Sequence, residues 1–195
     1  MKAILMSIQA KHLVNILNGK KTKEIRKSIP KGFVGWVYLY CTKGIKDILY
    51  KYKDKYYTQH YLTFTDCVEV LNSKVVARFW FDEYDGYDDI IYIENEYVWC
   101  HGKTLSNGLI DSFYLNKLQL SYEQMLDYGK GKDLYAWHIK NLEIFDYPKE
   151  LRHFFSSCDG CDKKNTIRCT EEISYCKSKT LTRAPQSWQY VEVKE

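Results

Sequence analysis

Short apolar runs of strand length dominate the first part of this chain, and one segment between them has helical spacing. Lys2–Ile8 and Trp36–Thr42 are rich in aliphatic and aromatic residues, as is typical of buried strands. Over Lys11–Asn18, apolar residues recur near every third or fourth position, which predicts a helix. The pattern therefore predicts a strand, a helix and further strands, in that order.

Most of the remaining chain is also predicted as strands. These are Thr22–Lys27, Tyr61–Leu71, Ser73–Tyr84, Ile90–Cys100, Leu134–Ile139, Leu142–Phe145 and Ser187–Val193. The predicted helices are Leu109–Leu118, Tyr122–Tyr128 with Ser121 as its N-cap, and Pro148–Phe155, while Ile45–Gln59 fits a helix or an irregular insertion. Eighteen tyrosines and three prolines agree with a β-rich chain. We therefore expect a single α+β domain over residues 1–195.

Charge is concentrated directly after the first predicted helix, in residues 19–27. Gly19 suits the left-handed position that ends a helix. In the strand that follows, Glu24 and Arg26 share one face, and Lys21 can join them only from the turn. A lysine beside a Glu–Arg face predicts an anion-binding site, which Ser7 and Gln9 at the end of the first strand would border.

The spacing Gly19-x-Lys21-x-x-Glu24-x-Arg26 resembles the signature of ASCH domains, which belong to the PUA-like superfamily. The family also places this motif after a strand and a helix. Three further segments resemble larger phage and bacterial members, namely residues 135–139, 147–151 and 185–188. The resemblance implies a PUA-like β-barrel with flanking helices and an RNA-linked role.

By this resemblance, the motif forms a cleft that binds RNA or a modified nucleotide. Lys21 and Arg26 would hold a phosphate or a polar base edge, and Glu24 would orient Arg26 or accept a hydrogen bond from a base amino group. His138 belongs to a Trp-His pair that recurs in similar proteins, so it is either a further cleft residue or a hydrogen-bonded structural histidine.

Two other functions remain open at this point. Some small ASCH proteins hydrolyse an acylated cytidine, and others have been described as ribonucleases. Lys21 matches the lysine of the hydrolase pattern, but Glu24 stands where that pattern has threonine, so the sequence does not decide whether the protein is an enzyme. A hydrolase with Lys21 and Glu24 as candidate catalytic residues is one alternative. A phage-type protein-interaction module is the other.

The net charge of +4 conceals a strong asymmetry. Residues 1–60 contain 13 Lys/Arg against 3 Asp/Glu, a net of +10, whereas residues 61–129 contain 4 against 12, a net of −8. The basic segment carries the motif, which favours a polyanion as partner. The acidic run Asp82–Asp89 is either a solvated loop or a surface for a protein partner.

The sequence contains no apolar run long enough to cross a bilayer, and no secretion signal is apparent at its start. We therefore expect a cytoplasmic protein without membrane association. In that compartment, its seven cysteines would be thiols or metal ligands more often than disulfides.

Four cysteines fall within a polar segment that cannot form a core of its own. Cys158, Cys161, Cys169 and Cys176 have the leading Cys-x2-Cys spacing of structural zinc knuckles. An iron–sulfur cluster or two disulfides would use the same residues. Four thiolates leave no open position on zinc, so we expect a structural zinc in a small insertion over residues 156–178.

Purified without chelator, the protein is expected to contain about one zinc ion per chain, because four thiolates form one tetrahedral site. Elemental analysis of the purified chain measures this. No more than a substoichiometric trace of zinc or iron would contradict a metal site.

Overall fold

The computed structural model describes residues 1–44, 47–60, 68–87, 89–93, 96–101, 104–109, 112–156 and 179–193. The strands in these ranges are β1 Lys2–Ile8, β2 Lys23–Arg26, β3 Gly35–Cys41, β4 Ile48–Tyr52, β5 Lys55–Gln59, β6 Glu69–Val70, β7 Val75–Phe81, β8 Tyr84–Tyr87, β9 Asp89–Ile93, β10 Glu96–His101, β11 Thr104–Leu109, β12 Leu134–His138, β13 Lys140–Lys149, β14 Phe154–Ser156 and β15 Trp188–Val193. The helices are α1 Ala10–Leu17, α2 Ser112–Leu118, α3 Tyr122–Gly129 and one 3-10 turn, Leu151–His153. None of these helices is long and apolar enough to cross a membrane.

A six-stranded sheet organises the fold, in the order β13-β7-β3-β1-β15-β14. β1 and β3 are parallel because α1 lies between them in sequence and carries the chain back, while the other neighbours are antiparallel. Apolar side chains cover both faces of the sheet. One face packs on α1 through residues such as Leu13 and Ile16, and the other contains Tyr38 and Phe154. Burial on both faces explains why β1 and β3 are almost continuously apolar.

Three smaller sheets accompany it, in the orders β2-β12-β8, β5-β4-β6 and β11-β10-β9. The prediction of a mostly-sheet α+β fold is therefore confirmed. The described strands do not close into a barrel, since their ladders remain four separate sheets. The predicted cysteine-rich insertion lies outside the described residues.

Several element predictions differ from the structure. The ambiguous Ile45–Gln59 segment contains the β4–β5 hairpin, with Lys53 in the left-handed conformation at its turn. The predicted Leu109–Leu118 helix begins only at Ser112, after strand β11. The predicted helix over Pro148–Phe155 is wrong, because β13 continues through Lys149 and only one 3-10 turn follows. Of the predicted Tyr61–Leu71 strand, residues 61–67 lie outside the described residues, and β6 is short.

The two predicted helix boundaries nearest the motif are confirmed. Gly19 adopts a φ of +70°, and its N–H bonds to Ile16 O at 2.9 Å while Lys20 N–H bonds to Asn15 O at 2.8 Å. This is the Schellman arrangement, which turns the chain sharply out of α1. At the start of α3, the Ser121 hydroxyl accepts from Gln124 N–H and the Gln124 side chain accepts from Ser121 N–H. This capping box satisfies two orphan donors.

Candidate functional site

Lys21 enters the protein interior from the turn between α1 and β2. Its backbone N–H donates to Asn15 O at 3.0 Å, which extends the helix-ending arrangement by one residue. The side chain is only 2% exposed, and its Nζ donates to the carbonyl oxygen of Leu118 at the end of α2. Lys21 Nζ also lies 3.4 Å from Glu24 Oε2. Strand parity correctly predicts that Lys21 reaches Glu24 from the turn.

Glu24 joins Lys21 to Arg26 through its two carboxylate oxygens. The second oxygen, Oε1, lies 2.9 Å from Arg26 Nη2. The same Nη2 donates to the backbone carbonyl of Ser7 at 2.9 Å, and Nη1 donates to the Ser187 hydroxyl at 3.4 Å. Arg26 therefore connects the motif strand to the end of β1 and to the segment that precedes β15.

We call Lys21, Glu24 and Arg26 the buried triad, since Glu24 is 7% and Arg26 6% exposed. Burial alone would raise the pKa of Glu24, but the charges of Lys21 and Arg26 outweigh it and hold that pKa below its ordinary value. Burial lowers the pKa of Lys21 despite the neighbouring Glu24. With all three groups charged, the triad carries one net positive charge.

Two polar atoms beside the triad are buried without a hydrogen-bond partner in the protein. They are Arg26 Nε and Ser7 Oγ. A buried donor that bonds to nothing costs free energy, so such groups point to a ligand or water that completes them. Both residues are more than nine-tenths buried, and both line the cavity described next.

Five of the six predicted ligand-binding residues line one cavity of about 450 Å³: Ser7, Gln9, Lys21, Glu24 and Arg26. This volume lies within the range of roughly 300–1,000 Å³ that is usual for small-ligand sites. β1, the motif and the residues before β15 form one side of the cavity, because Arg26 ties these elements together. The structure thus brings these five predicted residues, which lie between positions 7 and 26 of the sequence, to one cavity.

The sequence did not identify the contribution of α1 to this cavity. Lys11 and His12, in the first turns of α1, both line it. Burial lowers the pKa of His12, and Lys21 and Arg26 add to this effect against the opposing charge of Glu24. His12 had a place in the apolar pattern of the helix, and that pattern gave no sign that its ring faces a polar cavity.

α3 supplies a further wall, through Gln124, Asp127 and Tyr128. Gln124 and Tyr128 are four residues apart and therefore lie on one face of the helix. Burial raises the pKa of the Tyr128 hydroxyl, while the charge of Arg26 and a hydrogen bond with it oppose this shift, and Tyr128 as a whole is 38% exposed. No signal in the sequence reveals this wall, because the face that α3 turns to the cavity depends on tertiary packing.

The sixth predicted residue, His138, lies elsewhere. It pairs in register with Lys23, whose side chain points away from the Glu24 face of β2. His138 Nε2 lies 2.8 Å from Lys23 Nζ and 3.0 Å from Asp85 Oδ2. Its Nδ1 lies 3.2 Å from Glu83 Oε2. The structure therefore places His138 in a charged cluster and not on the cavity lining.

Three residues of the acidic run, Asp82, Glu83 and Asp85, belong to the same cluster. Lys140 Nζ lies 2.8 Å from both Asp82 Oδ1 and Glu83 Oε2, and Lys23 pairs with Asp85. Each of these three carboxylates therefore has a lysine partner within the chain, and Asp82 and Glu83 share Lys140.

The four predicted zinc ligands, Cys158, Cys161, Cys169 and Cys176, lie outside the described residues, so the zinc site stays a prediction. Among the described residues, no group of His, Cys, Asp and Glu is arranged to hold a metal ion. Cys41, which is described, is a buried thiol whose pKa burial raises to about 12, so it is unreactive.

Comparison with solved structures identifies the fold. ASCH from Zymomonas mobilis matches with a TM-score of 0.50 and 18% identity, covering 97% of this chain and 87% of that chain. A variant of the same protein with one tyrosine replaced by phenylalanine matches with a TM-score of 0.51 and 18% identity, covering 98% of this chain and 91% of that chain. No protein-family model and no curated protein sequence matches the chain. The chain has the fold of an ASCH protein, as the motif predicts.

Replacing Glu24 by Gln is expected to destabilise the protein by about 3–5 kcal/mol, because it leaves Lys21 and Arg26 buried without their counter-charge. Urea unfolding at neutral pH measures the free energy of unfolding. Glu143→Gln is the matched control, since Glu143 also pairs with an arginine, at 2.7 Å from Arg78, but on the surface. That control should lose less than about 1 kcal/mol.

The contribution of Glu24 to the free energy of unfolding should also depend on pH in a defined direction. Because the folded pKa of Glu24 lies below its ordinary value of 4.5, its stabilisation is complete above that pH and is lost as pH falls through the folded pKa. The stability difference between parent and Glu24→Gln should therefore shrink in acid. Equal losses for Glu24→Gln and Glu143→Gln at neutral pH would contradict the buried triad.

Proposed function

We propose that this protein binds RNA or a modified nucleotide in the cavity around the buried triad. The proposal rests on a cavity that is lined by the cations Lys21 and Arg26. Beside it, Arg26 Nε and Ser7 Oγ are buried without a hydrogen-bond partner in the protein. A ligand with negatively charged or strongly polar oxygens would satisfy these groups. Charge-assisted hydrogen bonds of this kind are among the strongest in proteins.

The charges of the cavity favour an anion. The lining contains three cationic side chains and two carboxylates, which leaves one net positive charge. The cations are Lys11, Lys21 and Arg26, and the carboxylates are Glu24 and Asp127. Glu24 is already shared between Lys21 and Arg26, so its role in the proposal is to hold Arg26 in place. Arg26 is the principal ligand-binding residue in this proposal, because Nε has no hydrogen-bond partner in the protein while its other nitrogens are bonded within the chain.

The walls of the cavity suit a base. Gln9, Gln124 and Gln186 line the cavity. Carboxamides can both donate and accept hydrogen bonds, although Gln124 Oε1 already accepts from Ser121 N–H and leaves only its amide N–H groups free to donate. Tyr128 presents a partly exposed ring at the same cavity. Proteins recognise unpaired RNA bases by such polar edges and by stacking on aromatic rings. The ASCH-like fold and the RNA-linked role implied by the motif agree with this chemistry.

The cysteine-rich segment has a structural role in this proposal. A zinc ion bound by four thiolates would order residues 156–178, which contain too few apolar side chains to form a core of their own.

Hydrolysis of a modified nucleoside or of RNA is a second candidate, favoured by the state of Lys21. A lysine takes part in proton transfer near neutral pH only when its pKa is lowered, and burial lowers the pKa of Lys21. Turnover of acylated cytidine or single-stranded RNA by the purified chain would support this candidate. No turnover of either would leave binding alone.

Arg26→Lys is expected to weaken binding of cytidine 5′-monophosphate by at least about tenfold. Lysine keeps the positive charge but has no atom equivalent to Nε. Isothermal titration calorimetry at fixed salt measures the dissociation constant, and thermal unfolding verifies that the variant is folded.

Lys11→Glu provides a test that does not touch the buried triad. Lys11 is exposed and lines the cavity, so its charge reversal should also weaken nucleotide binding by about tenfold. Lys20→Glu is the matched control, because Lys20 is exposed in the same part of the chain but outside the lining. It should change the dissociation constant by less than about twofold at 0.15 M salt. Parent-like binding by both Arg26→Lys and Lys11→Glu would overturn the proposal.

A further inference from the structure

The β5-β4-β6 sheet presents a face that differs in chemistry from the cavity. Directly opposed residues of paired strands share a face, and the register pairs Tyr50 with Tyr57, Tyr52 with Lys55, and Tyr50 with Val70. These five residues therefore form one continuous surface. We call it the tyrosine face.

The opposite side of this sheet is fixed to the body of the protein. Leu49 is fully buried in the main core, and Tyr56 packs against the same core. Asn18, at the end of α1, donates from Nδ2 to Tyr56 O at 2.8 Å and accepts from Tyr56 N–H at 3.3 Å. The hairpin is therefore anchored on one side. On the other side Tyr50 is buried at 9% exposure, while Tyr52, Lys55, Tyr57 and Val70 are exposed.

The tyrosine face exposes large side chains that the core does not use. Tyr52 is 42% and Tyr57 40% exposed, and Val70 beside them is also exposed. The rings of Tyr50 and Tyr57 stack with centroids 5.7 Å apart and an interplanar angle of 24°. The Tyr50 ring therefore packs against one side of the Tyr57 ring, and Tyr57 remains 40% exposed.

Positive charge accompanies these rings. Lys55 lies on the face itself, and Lys53 at the hairpin turn places Nζ 5.4 Å from the centroid of Tyr52. Among the strand residues described here, the acidic one, Glu69, pairs with Lys51 on the opposite side of the sheet. Asp54 is the one carboxylate in the two-residue turn between β4 and β5. The exposed tyrosine rings and these two lysines therefore lie on the same side of the sheet.

We propose that the tyrosine face binds single-stranded RNA, by stacking bases on Tyr52 and Tyr57 and by pairing Lys53 and Lys55 with phosphates. Exposed aromatic rings beside cations are the combination that single-stranded nucleic acids require. A protein partner fits less well, because lysine is depleted in protein–protein interfaces. The face is separate from the cavity, so this binding does not depend on the nucleotide site.

The test uses the full chain and a fluorescein-labelled twelve-nucleotide oligoadenylate, with binding followed by fluorescence anisotropy. Tyr52→Ala and Tyr57→Ala should each weaken binding by about tenfold, whereas Tyr52→Phe and Tyr57→Phe should bind like the parent, because they retain the ring. Tyr147→Ala is the matched control, since Tyr147 is 88% exposed on another sheet. It should leave the affinity unchanged.

Salt dependence supplies a second measurement. Lys53→Gln together with Lys55→Gln should reduce the slope of log affinity against log salt by about 1.4, from two lost phosphate contacts on a single strand. The alanine variants should leave that slope nearly unchanged, because they remove stacking and not charge. All variants should titrate cytidine 5′-monophosphate like the parent, which separates this proposal from the cavity.

Parent-like affinity for the oligoadenylate in folded Tyr52→Ala and Tyr57→Ala variants would overturn the proposal. So would a loss of self-association in light scattering with RNA binding intact, because the face would then be an interface between copies of this chain. A parent chain that binds the oligoadenylate but does not bind cytidine 5′-monophosphate would instead contradict only the cavity.

Discussion

The shared carboxylate of Glu24, held between Lys21 and Arg26 in the interior, is the interaction on which this site depends. Removing three charges from water costs several kcal/mol for each ion, and an apolar cluster of similar volume often stabilises a protein equally well. The buried triad leaves one net positive charge and an unpaired Arg26 Nε beside a cavity. Our proposal that the cavity binds a ligand accounts for this arrangement, whereas stability alone does not require it.

Several elements of the fold hold this triad in place. The glycine at position 19 ends α1 so that Lys21 turns inward, and β12 pairs with β2 so that Glu24 and Arg26 face the cavity. Arg26 then bonds to the end of β1 and to Ser187. β1 thus belongs both to the core of the main sheet and, through Ser7, to the site.

The sequence predicted the parts of this arrangement that follow from local rules. Strand parity placed Lys21 at the turn, and glycine at position 19 predicted the helix end. Packing between distant elements could not be predicted, so the cavity walls from α1 and α3 were missed. The sequence left His138 as either a cleft residue or a hydrogen-bonded structural histidine, and the register with β2 places it in a charged cluster. The wrong Pro148–Phe155 helix has a similar cause, since β13 is held by its pairing with β7.

The most direct measurement of the central claim is a crystal structure of the chain with cytidine 5′-monophosphate. The account predicts that an oxygen of the ligand accepts a hydrogen bond from Arg26 Nε, while Glu24 stays bonded to Lys21 and Arg26. A nucleotide bound outside the cavity, or one bound inside it with Arg26 Nε still unpaired, would contradict the account.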